Sequence, residues 1–474
     1  MNQRSADVVV LGGGSGGYAC ALRAAQLGQS VLLIEQRELG GTCLHRGCIP
    51  TKAFLHTAEI ADSVRDGNTF GVRSSLAGID MSGVLAYKGG VVDKLYKGLR
   101  GLVRSRGIAV VTGTGTLVAP DAIEVDGTRI SGRNLVLATG SSPNTMPDVP
   151  LSARVVTSEQ ALEISHVPER IIVLGGGVIG VEFASLWRSF GASVTIVEAL
   201  PRLVPSEDPF LSSGLERALR RRGIVVHTNV RVNDVKDVED VEDVEDVAAH
   251  DGHGHVVVTL DSGDEMTADL LLVAVGRRPN TSGMGFDQAG IRLDGGHVVV
   301  NSELRTSVCN VYAVGDIVAG PQLAHRGFQQ GIFVAEHIAG MGPRRVDDSA
   351  IPRVTYCSPE IASVGLTEEA ARKEYGDIET VTYDLAGNGK SQLLRTQGAV
   401  KLVKAGGRGT PGAVVGVHMI GARVGEMIGE AQLICGWEAH ADDVTPFIHA
   451  HPTQTEALGE AHLALAGKAL HAHA

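Results

Sequence analysis

Two cysteines separated by four residues, Cys43 and Cys48, stand in the run Gly40-Gly-Thr-Cys-Leu-His-Arg-Gly-Cys-Ile-Pro-Thr-Lys52. The spacing is not a usual zinc spacing, and no second cysteine pair accompanies it, so no metal site is expected. In an ideal helix five residues rise about 7.5 Å, beyond the ~4.4–6.8 Å Cα separation of a disulfide. A bridge between the two would need a distorted turn, which Gly47 permits, and a bridge held that way should be readily reduced. Two unconnected buried thiols are the plainer alternative. A working dithiol needs a base, because the thiolate is the nucleophile. One candidate lies near the C-terminus in His449-Ala-His451-Pro-Thr-Gln-Thr-Glu456. There Glu456, five residues on across a proline turn, can orient His451 and hold it more basic. The remaining histidines, among them His253, His255, His471 and His473, read as ordinary surface or core residues.

The elements that must position this chemistry occur twice. Val8-Val-Val-Leu-Gly-Gly-Gly-Ser-Gly-Gly17 and Ile171-Ile-Val-Leu-Gly-Gly-Gly-Val-Ile-Gly180 are both β-branched runs that enter G-x-G-x-x-G. The glycines are Gly12, Gly14 and Gly17 in the first copy, and Gly175, Gly177 and Gly180 in the second. A helix-period stretch follows each, then a glycine, then a second strand ending in an acid, Glu35 or Glu198. Both acids stand 23 residues after the first glycine of their motif. Such a turn lets a pyrophosphate approach backbone N–H groups at a helix N-terminus, while the acid accepts from a ribose hydroxyl. Two such units predict two dinucleotides, and electron transfer between a flavin and a nicotinamide is the economical reason to hold both. Glu198 favours a free 2′-hydroxyl, and no basic cluster follows it, so NAD is expected over NADP.

The 474 residues include 61 glycines, about 13% against a usual ~7%. Lys and Arg number 42 against 54 Asp and Glu, a net charge of −12. An acidic chain with no basic block argues against nucleic acid or an anionic membrane surface as main partner. No apolar run approaches the ~18 residues of a membrane span. The polar start gives no secretory signal, so a cytoplasmic location is expected. Six cysteines in this length are too few for a secreted disulfide scaffold.

The expected organisation is α/β, with residues 1–150 as a first nucleotide domain and 151–275 as a second. Residues 276–345 return to the first through Val311-Tyr-Ala-Val-Gly-Asp316, and 346–474 form a further domain. The stretch from Asp234 to Val247, Asp-Val-Lys-Asp-Val-Glu and its repeats, is expected to be a solvated, low-complexity surface loop.

Together these segments resemble the flavoprotein (pyridine nucleotide) disulfide reductases over nearly the whole chain. The most specific carriers are the two-cysteine motif and His451-Pro-Thr-x-x-Glu456. Ala138-Thr-Gly-Ser141, Val275-Gly-Arg-Arg-Pro-Asn280 and Leu323-Ala-His325 add to them. The resemblance implies two Rossmann-like dinucleotide-binding domains and a C-terminal α+β dimerisation domain. It implies a redox disulfide in which Cys43 exchanges with substrate while Cys48, nearer the flavin, forms a charge-transfer thiolate. His451, oriented by Glu456, would be the base, supplied across a homodimer, and Lys52 would pair with Glu182 near the flavin. It places Gly12, Gly14, Gly17, Glu35, Thr42, Lys52, Gly115, Thr139, Gly140, Ser141, Asp316 and Ala324 at FAD. It places Gly175, Gly177, Gly180, Glu182, Glu198, Val230 and Gly276 at NAD. The implied reaction passes electrons from a dihydrolipoyl dithiol to NAD+, with a lipoyl-bearing acyltransferase of a 2-oxoacid dehydrogenase or glycine-cleavage complex as partner. An NADH-dependent reductase of another low-molecular-weight disulfide is the alternative. The chain departs from the pattern at His45-Arg46, where many relatives carry Asn-Val.

Overall fold

The structure, a computed structural model, describes residues 4–146, 149–239 and 254–471. Strand β1 (Arg4–Leu11) is an apolar run whose Val8, Val9 and Val10 are wholly buried, as a central parallel strand requires. The chain turns into α1 (Ser15–Gln26), returns as β2 (Val31–Glu35), then forms α2 (Gly41–His45), α3 (Cys48–Asp66) and α4 (Met81–Ser105). Strands β3 (Ala109–Thr112), β4 (Gly115–Ala119), β5 (Ala122–Val125) and β6 (Thr128–Leu137) complete a sheet in the order β3-β2-β1-β6-β5-β4.

The second copy follows β7 (Ser141–Pro143), β8 (Val155–Thr157) and α5 (Ser158–Ala161). It comprises β9 (Arg170–Leu174), α6 (Val178–Phe190), β10 (Ser193–Glu198), α7 (Pro209–Arg221) and β11 (Val225–Thr228). An antiparallel trio, β12 (Val232–Glu239), β13 (Gly254–Leu260) and β14 (Glu265–Ala268), leads to β15 (Leu270–Val273). The parallel sheet runs β11-β10-β9-β15-β8. The acidic stretch departs from expectation here. Its first residues, 234–239, are ladder residues of β12 rather than loop. Val235 is buried and pairs with Val258, whose own strand supplies the apolar face. The rest of that stretch lies outside the described residues, as do His253 and His473.

The chain comes back through β16 (Arg277–Pro279), which pairs antiparallel with β7, and a short pair, β17 (Leu293–Asp294) and β18 (His297–Val298). Then β19 (Val311–Ala313) joins the first sheet beside β6, with Val311 opposite Leu135. Helix α8 (Ala324–Ile338) lies on α1 at a contact of backbone on backbone. A Cβ on Gly331 would sit 2.2 Å from the Gly16 carbonyl oxygen.

The last region is an antiparallel sheet with helices, in the order β20-β21-β24-β23-β22. Its strands are β20 (Arg353–Thr355), β21 (Glu360–Gly365), β22 (Ile378–Asp384), β23 (Ala399–Ala405) and β24 (Val414–Gly421). Its helices are α9 (Glu368–Tyr375), α10 (Gly389–Leu394), α11 (Val424–Gly436), α12 (Ala441–Val444) and α13 (Glu456–Leu465). Among the described residues no helix is long and apolar enough to cross a membrane.

The α1–α8 contact makes a direct prediction. Gly331→Ala forces the helices apart and should destabilise the protein by about 1–3 kcal/mol. Gly98→Ala, in α4 with open space where the Cβ would point, should leave stability unchanged or slightly raised. Thermal unfolding of the two variants checks this, and equal midpoints would contradict the close contact.

Candidate active site

The two glycine turns are near copies in atomic detail. A Cβ on Gly17 would lie 1.8 Å from the Gly12 oxygen, and one on Gly180 would lie 1.9 Å from the Gly175 oxygen. The first and third glycines are thus demanded by the chain's own packing. The middle ones are not. Gly177 has nothing within 4 Å of an added Cβ, and Gly14 has only the Gly41 Cα at 3.9 Å. Each middle glycine caps a helix, α1 or α6, with no side-chain cap and no acid in the first turn. Helix N–H groups therefore face open space, which fits a pyrophosphate. The acids close both loops in the same way. Glu35 accepts from Gly13 N at 2.6 Å and Arg37 N at 2.8 Å. Glu198, buried, accepts from Gly176 N at 2.6 Å and Leu200 N at 2.7 Å. Arg202 donates to the Pro205 carbonyl at 2.9 Å. Val230 N donates to the Glu198 carbonyl at 3.1 Å, and Gly276 ends the neighbouring strand's exit with φ +102°.

An open cleft of about 1340 Å³ runs along the first turn. Gly12, Gly14, Glu35, Thr42, Gly115, Thr139, Gly140 and Ser141 line it. At its far end Ser141 Oγ donates to Asp316 Oδ2 at 2.5 Å, and Thr139 Oγ1 donates to the Asn280 carbonyl at 2.6 Å. Ala324 is the first residue of α8, another helix that begins without a side-chain cap.

The cysteine segment packs into this turn. Gly41 has φ +58°, and a Cβ there would meet the Gly14 Cα at 2.7 Å. Helix α2 holds Cys43 and α3 opens with Cys48, with the helix broken at Arg46 and Gly47. A Cβ on Gly47 would press on the Thr42 carbonyl at 3.1 Å, so the break keeps the two cysteines near each other. Both carry free thiols. The two thiols act on each other, and their affinities for the proton split. The bond it gives Cys48, its burial and the charge of Cys48 push the Cys43 thiol up. The bond from Cys43 pulls Cys48 down against burial, and Lys52 helps, leaving it at about 7. By contrast, burial pushes the Cys20 and Cys435 thiols up to about 12.

Lys52, one helical turn after Cys48, reaches Glu182 in α6 with both carboxylate oxygens at 2.9–3.0 Å. Glu182 also accepts from Tyr356 N at 2.9 Å, and the Lys52 ammonium sits 4.7 Å from the Tyr356 ring centroid. Burial alone would lower the Lys52 pKa, but Glu182 outweighs it and holds the ammonium above its ordinary range. Tyr356 and Ser15, which hydrogen-bonds Cys43, were not singled out by sequence. Ser15 occupies a variable position of the first glycine motif and Tyr356 lies in no motif, so spacing marked neither.

His451 is apart from this cluster. Its Nδ1 meets Glu456 Oε1 at 2.8 Å, and Glu456 Oε2 accepts from Thr453 N at 2.8 Å. Burial would raise the Glu456 carboxyl, but these two partners hold it below its usual range. The imidazole is 76% exposed, and beside it Phe447 and Ile448 stand 73% and 97% exposed. The groups that act on the cysteines, Ser15, Lys52 and Glu182, all lie outside this region of the chain.

In the reduced protein one thiol should therefore titrate near 7 and the other only at strongly alkaline pH. Thiolate absorbance in the ultraviolet measures this. Cys48→Ser should abolish the low step, and loss of that step in Cys43→Ser alone would reverse the assignment.

Comparison with known proteins agrees with this geometry. Residues 6–331 match the family described as pyridine nucleotide-disulphide oxidoreductase, and residues 351–462 match its dimerisation domain. A dihydrolipoyl dehydrogenase of Bacillus subtilis is 38% identical, covering 98% of this chain and 99% of its own. A dihydrolipoyl dehydrogenase of Thermus scotoductus is 36% identical, covering 98% of each. Among solved structures, the HOCl-induced flavoprotein disulfide reductase RclA from Escherichia coli superimposes with a TM-score of 0.83. It is 27% identical, over 96% of this chain and 99% of that one. FAD and NAD are the cofactors of this family, and the two glycine turns and the open cleft fit them. With residues 6–331 and 351–462 matched and a cysteine pair packed against the first glycine turn, the chain belongs to the pyridine nucleotide-disulphide oxidoreductases.

Proposed function

We propose that the protein oxidises dihydrolipoyl groups carried by a 2-oxoacid dehydrogenase or glycine-cleavage complex, with NAD+ as the final acceptor. The observation that carries this reading is the Cys43 and Cys48 pair on either side of the helix break at Arg46 and Gly47, set between the Lys52–Glu182 pair and the open end of α1. Full-length similarity to proteins named dihydrolipoyl dehydrogenase supports the substrate. Gly12, Gly14, Gly17, Glu35, Thr42, Lys52, Gly115, Thr139, Gly140, Ser141, Asp316 and Ala324 would hold FAD. Gly175, Gly177, Gly180, Glu182, Glu198, Val230 and Gly276 would hold NAD. Bound there, FAD relays the electron pair between the cysteines and the nicotinamide.

The chain's own residues do the thiol chemistry. In the oxidised enzyme a dihydrolipoyl thiolate attacks Cys43 Sγ, and the Cys43–Cys48 bond breaks to leave the Cys48 thiolate. The second lipoyl sulfur then displaces Cys43, closing the lipoyl disulfide. Cys43 leaves with a proton that its high affinity retains. Cys48, next to Lys52, is the better leaving group, because its lower pKa stabilises the thiolate. His451 Nε2 takes the proton of the incoming dithiol while Glu456 holds Nδ1. Since His451 sits on an exposed loop beside Phe447 and Ile448, it serves the cysteines of the second subunit. A lipoyl-bearing acyltransferase is the partner that delivers the dithiol. The cytoplasm is the compartment we assign, because six cysteines in this length are too few for a secreted disulfide scaffold.

Anaerobic stopped-flow reduction by dihydrolipoamide, with and without NAD+, tests this. Fast appearance of the two-electron-reduced enzyme followed by NADH at a matching rate is expected. Reduction by NADH but not by dihydrolipoamide would sink the substrate and favour a reductase of another small disulfide. His451→Gln should lose about 10²–10⁴-fold in dihydrolipoamide turnover while keeping FAD, and full activity in that variant would remove the base.

A further inference from the structure

The antiparallel pairing of β7 with β16 brings Arg277 against Ser141, which lines the cleft. Its side chain is only 12% exposed. Nε donates to Ser141 Oγ at 2.8 Å, and the terminal nitrogen donates to the Ser141 carbonyl at 2.7 Å. Ser141 in turn donates to Asp316. The charges that act on the guanidinium are those of Asp316, Glu159, Cys48 and Arg46. Glu159, in α5, lies between the two arginines, 3.9 Å from Arg277 and 3.8 Å from Arg46. Arg46 is one of the four residues between the two cysteines, and it also reaches Glu38 at 3.4 Å. An ion chain thus runs from the cysteine segment across the cleft to a buried cation.

We infer that Arg277 is a positioning residue that sets the redox poise of the Cys43–Cys48 couple, and that Glu159 opposes it. This rests on the reading that the two cysteines cycle between disulfide and dithiol. The physics is one-sided. The disulfide carries no charge, whereas the reduced pair carries a thiolate at Cys48. A fixed cation nearby therefore stabilises the reduced state only, and a carboxylate that screens that cation does the reverse. Arg277 suits the task because its guanidinium stays charged when buried and its fork is held by two bonds from one residue.

The test is equilibration of the FAD-loaded protein with reduced and oxidised dithiothreitol, read by alkylation and counting of the Cys43 and Cys48 thiols. Above the Cys48 pKa the exchange is disulfide plus dithiothreitol going to thiol, thiolate, one proton and cyclic oxidised dithiothreitol. At about pH 8, Arg277→Gln should disfavour the reduced pair by about threefold to tenfold, and Glu159→Gln should favour it by a similar factor. A tenfold change corresponds to ~30 mV. Near pH 6, where Cys48 is protonated in the reduced state, both shifts should collapse toward wild type. Arg277→Lys, which keeps the charge and loses the fork, should stay close to the wild-type curve while releasing FAD more readily. Shifts of the same sign in Arg277→Gln and Glu159→Gln would overturn the inference, and so would shifts that persist unchanged near pH 6. Should Arg277→Gln fail to fold, Glu159→Gln decides alone, an unmoved poise at about pH 8 counting against the proposal. Failure of the wild-type pair to oxidise at any buffer ratio would remove the cycling itself, an outcome that does not depend on which dithiol is the natural substrate.

Discussion

The ion pair of Lys52 and Glu182 holds the arrangement together. Glu182 has 4% of its side chain exposed and stands in the first turns of α6, where a lone carboxylate would be costly. Lys52 comes from α3, the helix that Cys48 opens, so the pair fastens the cysteine helix to the second nucleotide unit. Tyr356 N adds a bond from the C-terminal region, and three parts of the chain meet on one carboxylate. Breaking such a pair by removing one partner typically costs about 3–5 kcal/mol, because it strands the other charge. The same lysine helps keep Cys48 ionised, so the contact that joins these regions also prepares the leaving thiolate.

The duplicated units show how much a backbone-driven pattern reveals. Strand, glycine turn, helix, strand and acid were legible because each rests on local geometry: a buried β-branched run, a turn too tight for a Cβ, a helix period. The sequence also placed Glu35 and Glu198 at the ends of their strands. Each carboxylate also ties the N–H of the residue after the first motif glycine, Gly13 or Gly176, to the adjacent strand. The cysteine spacing required a distorted turn only if the two were to be bridged, with Gly47 permitting it, and a helix break does fall at Arg46 and Gly47.

What stayed hidden depends on contacts between residues far apart in the chain. No spacing rule links Tyr356 to Glu182, or Arg277 to Ser141, which are separated by 174 and 136 residues. The first six residues of the acidic stretch are the clearest miss. Its composition suggests solvated loop, yet residues 234–239 complete a ladder because β13 presents Val256 and Val258 to Val235. A partner strand overrides local polarity in a way that a window of residues does not report.

The site we propose is completed across two chains. Thiols, ion pair and nucleotide turns are assembled within one chain, while the His451–Glu456 pair projects from an exposed apolar loop of the dimerisation region. The most direct measurement is of a hybrid dimer, made by co-expressing a Cys43→Ser chain and a His451→Gln chain under different tags. Each variant alone should be inactive. If the base crosses the interface, the doubly purified hybrid joins one intact thiol pair to one intact histidine and should recover about half the wild-type turnover. A hybrid as inactive as its parents would show that thiols and base must share a chain, and would contradict the account.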